Sequence, residues 1–205
     1  PSVPAAAWQG LAEAYGHLDA WHKAEAAFTD RPGSSGAAAI SALGAFYAER
    51  GQLARASRAY LRLDDLTLDV DAGHMASAVR FWVSSGEINT AAEVLARRIS
   101  LQTSFASKFS YIEEAAPHGH AAASAYIDFG AALEETPLGG DRILMGAFYR
   151  TVGAMLERTL DPRRALDAYG RARLVEVHNP TNAMVYAAAA ADWRPKEALE
   201  AAEIC

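Results

Sequence analysis

The chain has 205 residues, 51% of them apolar and 21% charged, a balance typical of a folded globular protein. Its formal net charge of −6, without long runs of like charge, argues against a dedicated nucleic-acid binder, which needs a basic face. The single cysteine, Cys205, excludes an intrachain disulfide and a cysteine-based metal site, and no apolar run approaches the roughly 20 residues that span a bilayer.

Two stretches near the start of the chain repeat one pattern. Residues 8–28 (WQGLAEAYGHLDAWHKAEAAF) align with residues 40–60 (ISALGAFYAERGQLARASRAY) at a spacing of thirty-two, which places Tyr15 opposite Tyr47. A third copy places Trp82 thirty-five residues after Tyr47. Aromatic residues are only 9% of the chain, so three of them at one repeat position indicate a true internal repeat, and we expect them in the core.

Each copy predicts a pair of packed helices. Trp8, Leu11 and Tyr15 are spaced i, i+3 and i+7, which places them on one face of a first helix. A small residue in the second helix, Ala24 in the first copy and Ala56 in the second, allows the two helices to approach closely.

The middle of the chain carries weaker signals. Residues 66–71 (LTLDVD) are the only candidate strand, and we interpret them as an extended linker. Residues 104–116 and 119–135 predict a degenerate helix pair. Residues 136–141 (TPLGGD) are the strongest loop signal in the chain.

The C-terminal third predicts two further helix pairs. A long helix is expected from about Arg142 to Thr159. Its partner should begin with Asp161 as N-cap and Pro162 as the first helical residue. Residues 194–199 (RPKEAL) begin the second helix of the last pair.

These motifs resemble the tetratricopeptide repeat (TPR), whose pattern is W-x2-L-G-x2-Y, then A-x3-F, then P. Its L-G step and its A-x3-F step are matched at several places: Leu43-Gly44, Val152-Gly153, Ala24/Phe28, Ala56/Tyr60 and Ala165/Tyr169, with turn glycines at Gly51 and Gly86. The closing proline is mostly missing, and only Pro180 fills a comparable place.

The resemblance predicts an all-α fold: a right-handed α–α superhelix of about six TPR-like helix-turn-helix repeats in a single domain, residues 1–205. The fourth repeat is degenerate and the last is truncated. The expected repeats are 5–36, 37–71, 72–105, 106–145, 146–178 and 179–205.

The resemblance also implies a concave groove, lined mainly by the first helix of each repeat, in which a partner binds. Most groove positions are small residues, chiefly alanine. The polar candidates for partner binding are Gln9, Glu13, His17, Glu49, Arg80, Arg150, Glu157 and Arg158. The three arginines suit a polar or anionic partner. The Lys and Asn with which cochaperones of this family hold a terminal carboxylate are missing, which disfavours a cochaperone function.

The sequence patterns do not favour a catalytic, metal-binding or phosphate-binding site. His118 and His120 lie near Glu113 and Glu114, but the H-x-H spacing is not helical and no second cluster completes a metal site. The acidic residues within 64–71 lack the glycine and terminal glutamate of a calcium-binding loop, and no phosphate-binding glycine motif is present. We therefore predict no catalytic residue, metal or cofactor. We interpret four residues mainly as core rather than ligand-stacking groups: Trp8, Trp21, Trp82 and Trp193.

The sequence favours a non-catalytic scaffold for protein–protein interaction, with a protein or peptide, or an anionic polymer, in the groove. Nucleic acid and direct membrane insertion are not expected. Because the chain starts at Pro1 without an initiator Met, we expect a segment of a larger protein, and its alanine-rich composition suits a high-GC bacterium. The resemblance implies a setting in a bacterial envelope protein, such as one of polysaccharide export or outer-membrane assembly, because TPR-like arrays occur in such assemblies. No residue identifies the compartment, but that setting favours the periplasm over the cytoplasm.

Two alternatives remain open. One is a regulatory or peptide-sensing module fused to an enzyme or a transcription factor. The other is a helical-repeat hydrolase or transferase that uses His118, His120 and Glu113.

Overall fold

The computed structural model describes residues 5–29, 36–66, 70–115, 125–159 and 161–203, with the side chains of residues 5–7 and 9 excepted. Within these ranges all regular structure is helical and no strand is present, so the predicted all-α class is confirmed. The described residues form twelve α-helices and one short 3-10 helix, Pro137–Gly140: α1 (Ala5–His17), α2 (Trp21–Thr29), α3 (Gly36–Glu49), α4 (Leu53–Asp65), α5 (Ala72–Ser85), α6 (Ile88–Ser100), α7 (Phe105–Ala115), α8 (Ala125–Glu134), α9 (Arg142–Arg158), α10 (Pro162–Val175), α11 (Pro180–Ala190) and α12 (Pro195–Ala202). No helix in the described part of the chain combines the length and apolarity needed to cross a membrane.

The chain divides into two compact units, Pro1–Phe81 and Trp82–Cys205. In the first unit, helices α1 to α4 pack against one another in chain order. In the second unit, α9 to α12 do the same, while α6 packs against α7 and α8, and both α7 and α8 pack against α9. Neighbours in sequence are therefore mostly neighbours in space within each unit.

One turn geometry recurs at four helix pairs. The carbonyl oxygen of Tyr15 accepts a hydrogen bond from the amide of the residue five positions on, over 2.9 Å, and Tyr47, Trp82 and Leu156 do the same over 2.9, 2.8 and 3.0 Å. This bond caps the carboxyl end of a helix and turns the chain into the next one. The equivalence of Tyr15, Tyr47 and Trp82, seen first as a repeat of aromatic residues, is therefore also an equivalence of backbone hydrogen bonding.

The turns also need residues that tolerate a left-handed backbone. Gly51 and Gly86 have φ values of +68° and +84°, and Asp19 has a φ of 54° in the α1–α2 turn. Glycine adopts such values without a Cβ clash. The prediction of Gly51 and Gly86 as turn glycines is confirmed.

The core of the first unit joins aromatic and small side chains. Tyr47 and Phe46 of α3 are buried beside Ala24 and Ala56, and Trp21 packs against their cluster as a half-buried side chain. The alanines have no accessible surface, as expected for positions at which two helices approach closely.

In the second unit the predicted boundaries of the α9–α10 pair are confirmed. α9 ends at Arg158, and Asp161 caps α10 by accepting a hydrogen bond from the amide of Arg164 over 3.2 Å. Pro162 is the first helical residue, where its missing amide hydrogen costs nothing. The core around this pair contains Phe129 and Phe148, whose rings meet edge to face with centroids 5.6 Å apart.

Several expectations need correction or fall outside the described residues. Trp82 is buried as predicted, but Trp193 is 51% exposed and is not a core residue. Residues 136–141 connect α8 to α9, as the loop signal predicted, but they contain the 3-10 helix, which Thr136 starts by accepting a hydrogen bond from the amide of Leu138 over 3.2 Å. Residues 67–69 of the expected linker and 116–124 of the degenerate pair lie outside the described ranges.

Candidate interaction surfaces

The predicted groove residues lie in three helices of the first unit and one helix of the second. Glu13 and Arg80 are partly buried in α1 and α5, and His17 and Glu49 are exposed at the last positions of α1 and α3. The side chain of Gln9 is outside the described part of the structure. In α9, Arg150 is partly buried, whereas Glu157 and Arg158 are exposed.

Arg150 is engaged inside the protein. Its Nη1 donates a hydrogen bond to Oδ1 of Asn182 and lies 3.6 Å from Oε2 of Glu176. Asn182 is fully buried, and its Nδ2 donates to the carbonyl of Ala172 over 2.9 Å and to Glu176 over 3.2 Å. Because the polar groups of this cluster pair with one another, Arg150 connects α9 to α10 and α11. The expectation that Arg150 binds an anionic partner therefore finds no support.

Glu157 is also engaged, as the acceptor of a tyrosine hydroxyl. Tyr169 of α10 donates to Glu157 of α9 over 2.9 Å. The same pairing joins Tyr149 of α9 to Glu134 of α8, and Tyr186 of α11 to Glu197 of α12.

These pairs hold the tyrosine hydroxyls in their protonated form. Burial raises the pKa of both Tyr149 and Tyr169 well above the usual range, and the hydrogen bond to the carboxylate raises it further. A hydroxyl in this state donates a hydrogen bond at neutral pH and is a poor nucleophile. Each tyrosine–glutamate pair is therefore a hydrogen bond that connects two adjacent helices.

An open cleft lies between α6, α8 and the 3-10 helix of the second unit. Its volume is about 700 Å³, within the size range of ligand pockets. Three alanines, Ala92, Ala96 and Ala132, line it with small side chains, and the first two are buried. The remaining lining residues are Asn89, Glu93, Arg97, Ser100, Glu135, Thr136 and Pro137.

The periodicity of α6 produces this arrangement. Asn89, Ala92, Ala96 and Ser100 follow one another at intervals of three or four residues, so they form one stripe along the helix. Ala92 and Ala96 leave space above the backbone because their side chains end at Cβ. Arg97 and the carboxylates that line the cleft supply charges of both signs.

No known protein family and no curated protein sequence matches the chain. None of the predicted groove residues lines the cleft, which is formed by a second helix of a predicted pair, α6, and by the degenerate region. The alanine stripe of α6 was visible in the sequence, but the approach of α8 to α6 across an intervening helix was not.

Metal-dependent chemistry gains no support in the described residues. No group of three or more histidine, cysteine, aspartate or glutamate residues there is arranged to hold a metal ion. His118 and His120 lie outside the described ranges, and Glu113 is exposed near the end of α7.

Proposed function

We propose that this chain is a non-catalytic module for protein–protein interaction and that it binds an extended segment of a partner protein in the cleft between α6 and α8. The observation that supports this proposal is that Ala92, Ala96 and Ala132 line the cleft together with polar side chains and with charged side chains of both signs. Small side chains such as these let the backbone of a bound segment come close to a helix. The surrounding amide, hydroxyl and charged groups can then pair with its backbone and side chains.

The charges lining the cleft favour a zwitterionic segment. Glu93 and Glu135 attract a basic side chain, and Arg97 attracts a carboxylate. A segment with one basic and one acidic residue, separated by small or apolar residues over Ala92 and Ala96, meets both requirements.

We also propose that the helix pairs continue as a right-handed superhelix of about six TPR-like repeats. The recurring turn hydrogen bond at Tyr15, Tyr47, Trp82 and Leu156 supports this architecture. A setting in a larger bacterial envelope protein rests on composition and on the resemblance. Protein interaction itself rests on the cleft.

Selection from a random peptide library on the immobilised chain tests the proposed function. We expect enriched peptides that carry both a basic and an acidic residue. Ser100→Trp, at the exposed end of the stripe on α6, places a large side chain in the cleft. It should weaken the binding of these peptides by roughly tenfold or more, measured by titration calorimetry. Ala96→Trp should weaken their binding further, because Ala96 lies in the middle of the same stripe.

Ser110→Trp is the matched control, because Ser110 is exposed on α7 and does not line the cleft. It should leave peptide affinity unchanged. If no peptide is enriched, or if Ser100→Trp and Ser110→Trp bind the selected peptides equally well, the cleft is not a peptide site.

A further inference from the structure

A second concave feature, in the first unit, is chemically unlike the cleft. It is a pocket of about 190 Å³ between α2, α3 and α4. Its buried lining residues are Leu43, Tyr47 and Ala59. The other residues that line it are Glu25, Arg55, Arg58 and Arg62.

The three arginines belong to one face of α4. Arg55, Arg58 and Arg62 are spaced i, i+3 and i+7, so their side chains leave the helix on the same side. Ala56 and Leu63 of the same helix are fully buried and hold α4 in place.

The charges of the pocket are unbalanced. Glu25 is the single carboxylate among its lining residues, and its Oε1 lies 2.6 Å from Nη1 of Arg62. Arg55 lies over the ring of Trp21, 5.8 Å from the centroid, and also interacts with the hydroxyl of Tyr47. Within the described ranges no hydrogen bond or ion pair involves the side chain of Arg58. Three guanidinium groups against one carboxylate leave an excess of two positive charges, on a chain whose net charge is −6.

We infer that Arg55 and Arg58 bind the carboxylates of an acidic segment of a partner protein, beside the internal pair of Arg62 with Glu25. Guanidinium groups present parallel N–H donors that match a carboxylate. In the pocket itself, Nη1 of Arg62 already donates a hydrogen bond to the carboxylate of Glu25 over 2.6 Å. This inference is independent of the cleft in the second unit, and each can fail without the other.

A carboxylate ligand suits the pocket better than a nucleic acid or a sulfated polymer. A long polyanion must keep many charges near the protein surface, where the net charge of −6 repels it. Two or three neighbouring carboxylates gain the local attraction of the arginines and extend little beyond them.

Fluorescence anisotropy with a fluorescein-labelled hexaglutamate peptide tests the inference on the full chain. We expect saturable binding that weakens as salt is added. Arg55→Gln/Arg58→Gln should weaken it by about tenfold. Arg142→Gln/Arg163→Gln, which removes two exposed arginines of the second unit, is the control of equal charge and should change the affinity by less than about twofold.

Glu25→Gln gives a readout in the opposite direction. Removal of the internal carboxylate releases Arg62, so hexaglutamate should bind about threefold more tightly. A purely structural role of Glu25 gives no such gain.

Equal weakening by the two double variants would mean diffuse electrostatic attraction and would overturn the inference. So would the absence of binding to the wild-type chain.

Discussion

A Cβ atom added to Gly153 would lie 2.5 Å from Cε1 of Tyr169, closer than carbon atoms approach without displacement. Gly44 and Tyr60 stand in the same relationship, with a distance of 2.6 Å. In both cases a glycine on one helix receives the ring of a tyrosine sixteen residues further on, in the next helix. The absence of a side chain at the glycine therefore determines how closely the two helices pack.

Gly153→Ala should destabilise the protein by about 1–3 kcal/mol, because the added methyl group would clash with the buried ring of Tyr169. Tyr169 is buried, and its hydroxyl is held by Glu157 over 2.9 Å. This cost should exceed the gain of about 1 kcal/mol that alanine brings to a helix interior. The free energy of unfolding in urea measures the difference.

Gly10→Ala is the matched control for that change. Gly10 is an exposed residue within α1, and an added Cβ there meets nothing within 4 Å. It should therefore stabilise the protein by roughly 0.5–1 kcal/mol. If Gly153→Ala stabilises the protein as Gly10→Ala does, the ring of Tyr169 does not pack closely against Gly153 in solution.

The parts of the fold that depend on neighbouring residues could be predicted from the sequence. Asp161 and Pro162 are adjacent, so their joint signal marked the start of α10 correctly. The small residues Ala24 and Ala56 lie four positions before an aromatic residue, and their burial follows from that local pattern.

The candidate sites depend on contacts between residues that are distant in sequence, and these could not be predicted. Arg150 and Asn182 are thirty-two residues apart, and no short pattern shows that one would satisfy the other. Trp193 lies in a turn with the guanidinium of Arg163 over its ring, 5.3 Å from the centroid. The arginines of α4 were visible, but the pocket beside them exists only when α2, α3 and α4 have packed.

Asn182→Ala should destabilise the protein by about 1–3 kcal/mol, because it removes several hydrogen bonds from buried polar groups. The carbonyl of Ala172 would keep only the backbone amide of Glu176 as a donor, over 3.2 Å, and Arg150 and Glu176 would both lose their hydrogen bond to the Asn182 amide. Chemical denaturation followed by circular dichroism measures the loss.

Asn89→Ala makes the same chemical change at an exposed position of α6 and should cost less than about 0.5 kcal/mol. Equal effects of the two substitutions would show that the buried cluster contributes no more than an exposed amide does.

Alkaline pH should unfold the protein through its buried tyrosines. Burial raises the pKa of Tyr60 from 10.0 to about 12, and the pKa values of Tyr149 and Tyr169 are raised in the same direction. Above pH 10.0 the unfolded chain loses the Tyr60 proton and the folded chain keeps it until about pH 12, so stability is unaffected below this window and falls through it. The tyrosinate absorbance and the free energy of unfolding, recorded against pH, measure this.

Tyr60→Phe is the control for the alkaline transition. Phenylalanine keeps the ring beside Gly44 and removes the ionisable hydroxyl. The loss of stability with rising pH should therefore be less steep in this variant than in the wild type. An unchanged slope would mean that Tyr60 ionises as readily in the folded chain as in the unfolded chain.

Asp161→Ala should destabilise the protein by about 1 kcal/mol through loss of the N-cap of α10. Asp161 also lies 3.1 Å from Nη1 of Arg164, but such an exposed ion pair contributes little. Asp161→Asn separates the two effects, since asparagine caps a helix as well as aspartate does but carries no charge. The cap therefore predicts near-wild-type stability for Asp161→Asn, whereas a dominant ion pair predicts the same loss in both variants, and urea unfolding of the two decides between them.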